Sequence, residues 1–83
     1  MEEVHIGTVT HFFAKPMVCA IKLVDELQVG DLVSFRGHTT DFQQQITSIQ
    51  IEHEQVETAH KGQEVGVKVD ERVRGHDEVF RLG

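Results

Sequence analysis

The sequence predicts an all-β fold, a small closed antiparallel β-barrel of about six strands. Short runs rich in β-branched and aromatic residues recur along the chain of 83 residues. Glycines stand where the apolar alternation changes phase, and the 3.6-residue periodicity of an amphipathic helix is nearly absent.

Residues 4 to 12, VHIGTVTHF, read as the first strand, with Gly7 at a phase switch between Ile6 and Val9 that suggests a bulge or barrel corner. Pro16 ends it, because it has no amide proton for a ladder. MVCAIKLV resumes extended structure, with Cys19, Ile21 and Leu23 on one face and Val18, Ala20 and Lys22 on the other. The V-G-D of residues 29 to 31 reads as a tight turn, and Leu32, Val33 and Phe35 open the next strand. Phe42 to Glu54 is the longest candidate strand, and the slip in apolar phase from Ile46 to Ile49 and Ile51 implies a bend. ETAHKGQE reads as a polar connection, EVGVKV as a short buried strand with Gly66 in its interior, and EVFRL as a last strand after a G-H-D turn. The one helical competitor, VETAHKGQ, is brief and contains Gly62.

The length admits one domain, residues 1–83, with a single core, because a chain this short buries only about 60 % of its unfolded surface. Fourteen acids against eight bases give a formal charge of −6. The basic residues are scattered, so composition speaks against an autonomous nucleic-acid binder, which holds phosphates with a basic stripe. Cys19 is the one cysteine, the acidic start lacks the form of a secretory leader, and no stretch is long enough to span a bilayer, so a cytoplasmic setting and no membrane are expected. The six histidines fall in no zinc-ligand spacing, and neither a metal nor a cofactor is expected.

The crowded stretch Arg36 to Asp41, R-G-H-T-T-D, lies between two strands, where the chain must reverse. Thr and Asp side chains accept bonds from nearby backbone amides, so turn chemistry explains the crowding. A catalytic reading would have His38 activate a threonine hydroxyl with Asp41 orienting the ring, and neighbours in an extended turn do not converge in that way. Cys19 sits in an apolar run that disfavours its thiolate, and neither a phosphate loop nor a carboxylate pair is present, so no catalytic residue is expected.

Five segments carry a resemblance: I-G-T-V-T at 6 to 10, L-Q-V-G-D at 27 to 31, T-S-I-Q-I at 47 to 51, A-H-K-G-Q-E-V-G at 59 to 66 and V-R-G-H-D-E-V at 73 to 79. In order and spacing this series resembles the second, β-barrel domain of translational GTPases such as elongation factor Tu. With G-H-T-T-D-F and I-Q-I-E-H added, it is closer still to the C-terminal barrel of collagenase-like peptidases (family U, thirty-two) and to free-standing translation elongation factor-like proteins. The resemblance implies a translation-factor domain-two type barrel that touches tRNA, ribosomal RNA or a protein partner. It implies no nucleotide on this chain, because the nucleotide-binding domain is absent. Where elongation factor Tu carries a glutamate against the terminal tRNA base, this sequence places Gln50.

The expectation is therefore a non-catalytic binding module that docks on RNA, the ribosome or a protein. The alternative is the accessory C-terminal barrel of a collagenase-like peptidase or RNA-modifying enzyme. The expected contact surface is Arg36, His38, Thr39 and Asp41 of the crowded turn with Gln50 and His53 on the next strand, and Arg72 and Arg74 would meet phosphates. Self-association through an exposed strand edge is a third possibility.

Overall fold

A computed structural model describes residues 3–83. Ten strands follow one another: β1 (Glu3–Phe13), β2 (Val18–Leu23), β3 (Leu27–Gln28), β4 (Leu32–Arg36), β5 (Asp41–Gln45), β6 (Ile49–Ile51), β7 (Glu54–Val56), β8 (Thr58–Ala59), β9 (Glu64–Lys68) and β10 (Glu78–Leu82). The fold is all-β, with every ladder antiparallel and no helix among the described residues. No helix of the described residues is long and apolar enough to cross a membrane.

Eight strands form one sheet in the order β5-β4-β10-β1-β2-β9-β6-β7, and β3 pairs with β8 in a second. The long strand β1 belongs to two ladders, and its register shifts between His5 and Gly7 against β10 and between Val9 and His11 against β2. Such bulges bend a strand and let the sheet curl. Gly7 is fixed at the first by crowding: a Cβ there would lie 2.6 Å from Ile21 Cγ2 and 2.7 Å from the Lys22 carbonyl oxygen. The bulge expected at Gly7 is present. Curling gathers Ile6, Val9, Ile21, Leu23, Val33 and Phe35, with Ile46, Ile49, Val65, Val67 and Val79, into one fully covered cluster. Each such side chain contributes about 1.5–3 kcal/mol of burial.

Expected and observed architectures differ in two respects. The segment Phe42 to Glu54 is not one bent strand but parts of β5, β6 and β7, broken at residues 46–48 and again at 52–53. The polar connection after it contributes β8, whose Ala59 is buried. The count rises from about six strands to ten among the described residues because the broken segment forms a local hairpin, β6–β7, and short pieces pair across the fold, β3 with β8 and β6 with β9.

Closure also takes another form. No ladder among the described residues joins β5 to β7 at the two ends of the large sheet. The gap beside β5 is bridged by a side chain: Gln44, buried, donates through Nε2 to the Lys68 carbonyl at 2.9 Å and accepts from the Asp70 N–H at 2.7 Å. One amide thus satisfies a backbone donor and a backbone acceptor that a strand would otherwise have paired.

Candidate functional site

The crowded turn is a turn. Arg36 and Asp41 form the last pair of the β4–β5 ladder, and Gly37 N–H donates to the Thr40 carbonyl at 2.8 Å. Thr40 is buried, whereas His38, Thr39 and Asp41 are exposed. Among the described residues no hydrogen bond links His38 to Thr39, Thr40 or Asp41, so no catalytic relay is assembled. The turn is held by its backbone bond and by a contact from outside it.

That contact is Asp77. A Cβ on Gly37 would lie 1.8 Å from Asp77 Oδ1, so only glycine lets the turn sit against this carboxylate. Asp77 is buried, and its Oδ2 accepts the Arg74 N–H at 2.8 Å. Its backbone is tied to β1, with Val9 N–H donating to the Asp77 carbonyl and His76 N–H donating to that of Val9, both at 2.8 Å. The turn carrying His38, Thr39 and Asp41 is therefore brought to the segment carrying the exposed Arg72 and Arg74.

Arg36 leaves this patch. Its guanidinium donates to Glu3 through two nitrogens, Nη1 to Oε1 at 2.8 Å and Nη2 to Oε2. Its Nε donates to Ser34 Oγ at 3.1 Å, and the group lies 4.9 Å from the Phe80 ring centre. Arg36 thus joins β1, β4 and β10 on the outer face. Three of its five N–H donors are thus engaged within the fold, which gives Arg36 a structural role.

Gln50 and His53 sit elsewhere, over β9. There Gly66 faces outward between Ala20 of β2 and Gln50 of β6, its register partners on either side. The neighbours Val65 and Val67 turn into the core, so the outward residues of β9 are Glu64, Gly66 and Lys68. Lacking a side chain, Gly66 floors a groove of two adjoining hollows whose linings share Gly66 and Gln50. The first, about 260 Å³, runs toward Val18, Ser48, Gln55 and Lys68. The second, about 220 Å³, runs toward Ala20, Glu52, His53 and Glu64. The floor is small and apolar, the long wall carries amide and hydroxyl groups, and the two ends carry opposite charge.

The Glu52–His53 end owes its shape to an unusual hairpin. Ile51 pairs with Glu54, and both intervening residues have positive φ, 50° at Glu52 and 70° at His53. Two-residue hairpins of this kind normally hold Asn-Gly, so the sequence carries no local mark of the turn. Glu64, across the groove, accepts a bond from Thr10 Oγ1 at 2.8 Å, which fixes its carboxylate at the rim. Of the expected contact residues, Gln50 and His53 line one hollow here, His38, Thr39 and Asp41 lie on the turn that packs through Gly37 against Asp77, and Arg72 and Arg74 lie on the segment leading into Asp77. Val18, Ala20 and Gly66 were absent from the expected set. The available signal was a glycine inside a strand, which marks close approach by something else.

The Cys19 thiol is buried in the core and pushed up to about 12 by that burial, with the nearby Asp77 carboxylate adding to the effect. No group of three His, Cys, Asp or Glu side chains able to hold a metal ion occurs among the described residues.

No family model matches the chain. An uncharacterised protease of Methanocaldococcus jannaschii is 40 % identical over 81 residues, 96 % of this chain and 20 % of that protein. A collagenase of Porphyromonas gingivalis is 30 % identical over 83 residues, 98 % of this chain and again 20 % of the relative. The chain thus spans about a fifth of the length of the curated relatives it matches. Among solved structures, the C-terminal domain of a Geobacillus thermoleovorans protein assigned to the U32 peptidases superposes with a TM-score of 0.90 at 22 % identity, covering 96 % of this chain and 93 % of that one. The selenomethionine form of that domain gives 0.87 at 23 % identity, covering 94 % and 98 %. These structural likenesses are of fold. The protease-named and collagenase-named relatives support the collagenase-like side of the resemblance seen in the sequence, and none of these relatives is named a translation factor.

Proposed function

We propose that the chain is a non-catalytic accessory module of the kind found in collagenase-like peptidases, and that it docks an extended polypeptide in the groove over β9. The observation that carries this reading is that nearly the whole chain aligns with only a fifth of longer, peptidase-named relatives. A fragment of such size fits an appended domain, with bond-breaking chemistry in the remaining length. The buried, protonated Cys19 and the unassembled His38 turn agree with it. The groove is a concave surface that combines an apolar floor with polar walls.

The test is retention without cleavage. Immobilised chain is given fluorescent gelatin and unfolded casein, and the eluate is sized. The reading expects both polypeptides to be retained and recovered at their starting mass. Cleavage that disappears in Cys19→Ala or His38→Ala, or no retention of either polypeptide, would refute it.

A second reading, docking on tRNA or ribosomal RNA through His38, Thr39, Asp41, Arg72 and Arg74, has the exposed arginine pair in its favour and the charge of −6 against it. Labelled tRNA titrated at low and high salt decides it. Salt-sensitive binding lost in the Arg72→Ala, Arg74→Ala double variant supports this reading, and salt-independent or absent binding removes it.

A further inference from the structure

Three interior glycines differ in what the fold asks of them. Gly7 and Gly37 each face atoms that leave no room for a Cβ. Gly66 does not: a Cβ there meets only Val18 Cγ1, at the ordinary contact distance of 3.6 Å, and its φ lies outside the left-handed region. Any small residue could occupy this strand position, and most would strengthen the strand, since glycine loses more backbone freedom on folding. The fold gains nothing from glycine at 66. What it leaves is open space above the β9 backbone.

The charges at the ends of that space are arranged for a ligand of particular chemistry. Glu52 and Glu64 stand at one end, and among the described residues no salt bridge joins either to a lysine or arginine. Lys22, the register partner of Glu64, is turned away, its Nζ donating to the Gly62 carbonyl at 2.8 Å. Lys68 stands at the other end. From Glu64 to Lys68 is about 13 Å at 3.3 Å per residue, the span of four steps of an extended chain.

Resting on the docking reading above, we infer that the groove takes an extended segment with a lysine or arginine at the Glu52–Glu64 end and its backbone lying over Gly66. The cation meets two carboxylates that form no salt bridge with a lysine or arginine among the described residues, and the Gln50 and Gln55 amides along the wall have both donors and acceptors for the ligand's backbone.

The experiment uses fluorescent peptides of about nine residues, long enough to exceed the groove, with one central arginine on a Gly/Ala/Ser background. The same peptide with citrulline for arginine and a single-stranded RNA oligonucleotide are run beside it. Fluorescence anisotropy with the 83-residue chain is expected to show the arginine peptide binding about tenfold tighter than the citrulline one. That preference should vanish in the Glu52→Gln, Glu64→Gln double variant, and binding should be lost in Gly66→Leu. Circular dichroism confirms that each variant is folded, and the surface double variant serves if Gly66→Leu does not fold. Equal binding of the arginine and citrulline peptides, with loss in Gly66→Leu, overturns the cationic preference while docking stands. Binding that survives Gly66→Leu overturns the groove assignment, and binding of RNA with neither peptide overturns both.

Discussion

Replacing Gly37 with alanine tests how the crowded turn is built. The new methyl would start 1.8 Å from Asp77 Oδ1 and 2.6 Å from its Cγ, so one partner must move by more than an ångström. If Asp77 moves, its bond from the Arg74 N–H, 2.8 Å long and charge-assisted, is lost; such bonds contribute about 1.5–3 kcal/mol. If the turn moves, the Gly37–Thr40 backbone bond at 2.8 Å opens, at about 1 kcal/mol, and Thr40 loses cover. The two routes together bound the loss at about 1–3 kcal/mol, a large share of the roughly 4–12 kcal/mol expected for this length. Urea unfolding followed by circular dichroism measures it as a fall in midpoint at unchanged slope. Because the clash belongs to the carboxylate, Gly37→Ala should cost less than about 0.5 kcal/mol when placed on Asp77→Ala, while Asp77→Asn, equal in size, should give no relief. A cost that persists undiminished on Asp77→Ala would refute the contact as the reason for glycine.

Other consequences are measurable by the same means. Gln44→Leu keeps the volume and strands the Lys68 carbonyl and the Asp70 N–H, so it should lower stability by about 2–4 kcal/mol in urea. Glu52→Asn combined with His53→Gly relaxes two left-handed residues and should raise stability by about 1–2 kcal/mol. Cys19 should resist a disulfide reagent at about pH 8 until urea is added, since its folded thiol is pushed up to about 12. With the folded pKa above the unfolded value, its contribution is complete below about pH 9 and is lost as pH rises toward 12, at up to about 1.4 kcal/mol per unit. The decline should be shallower in Cys19→Ala.

What the sequence revealed was local, and what it concealed was not. The bulge at Gly7 and the inward set Cys19, Ile21 and Leu23 follow from alternation over a few residues, and the structure contains both. The break at 52–53 was invisible because Glu and His occupy positions where Asn and Gly would announce a turn. The short strands β3 and β8 exist only because Leu27 and Ala59 meet across the fold. Distance in sequence also hid the site. Nothing near Gly37 indicates that its need for glycine comes from Asp77, and Arg36 reads as a free cation until Glu3, Ser34 and Phe80 are placed around it. Gln50 and His53 were legible as an exposed pair on one stretch, but the floor beneath Gln50 is assembled from β2 and β9.

The most direct measurement of the proposed docking over β9 is a backbone-amide NMR titration with the arginine peptide. Recognition over β9 predicts shifts at Val18, Ala20, Gln50, Glu64 and Gly66, with His38, Thr39, Arg72 and Arg74 unmoved. Shifts confined to the second set, or a peptide hydrolysed during the titration, would contradict it.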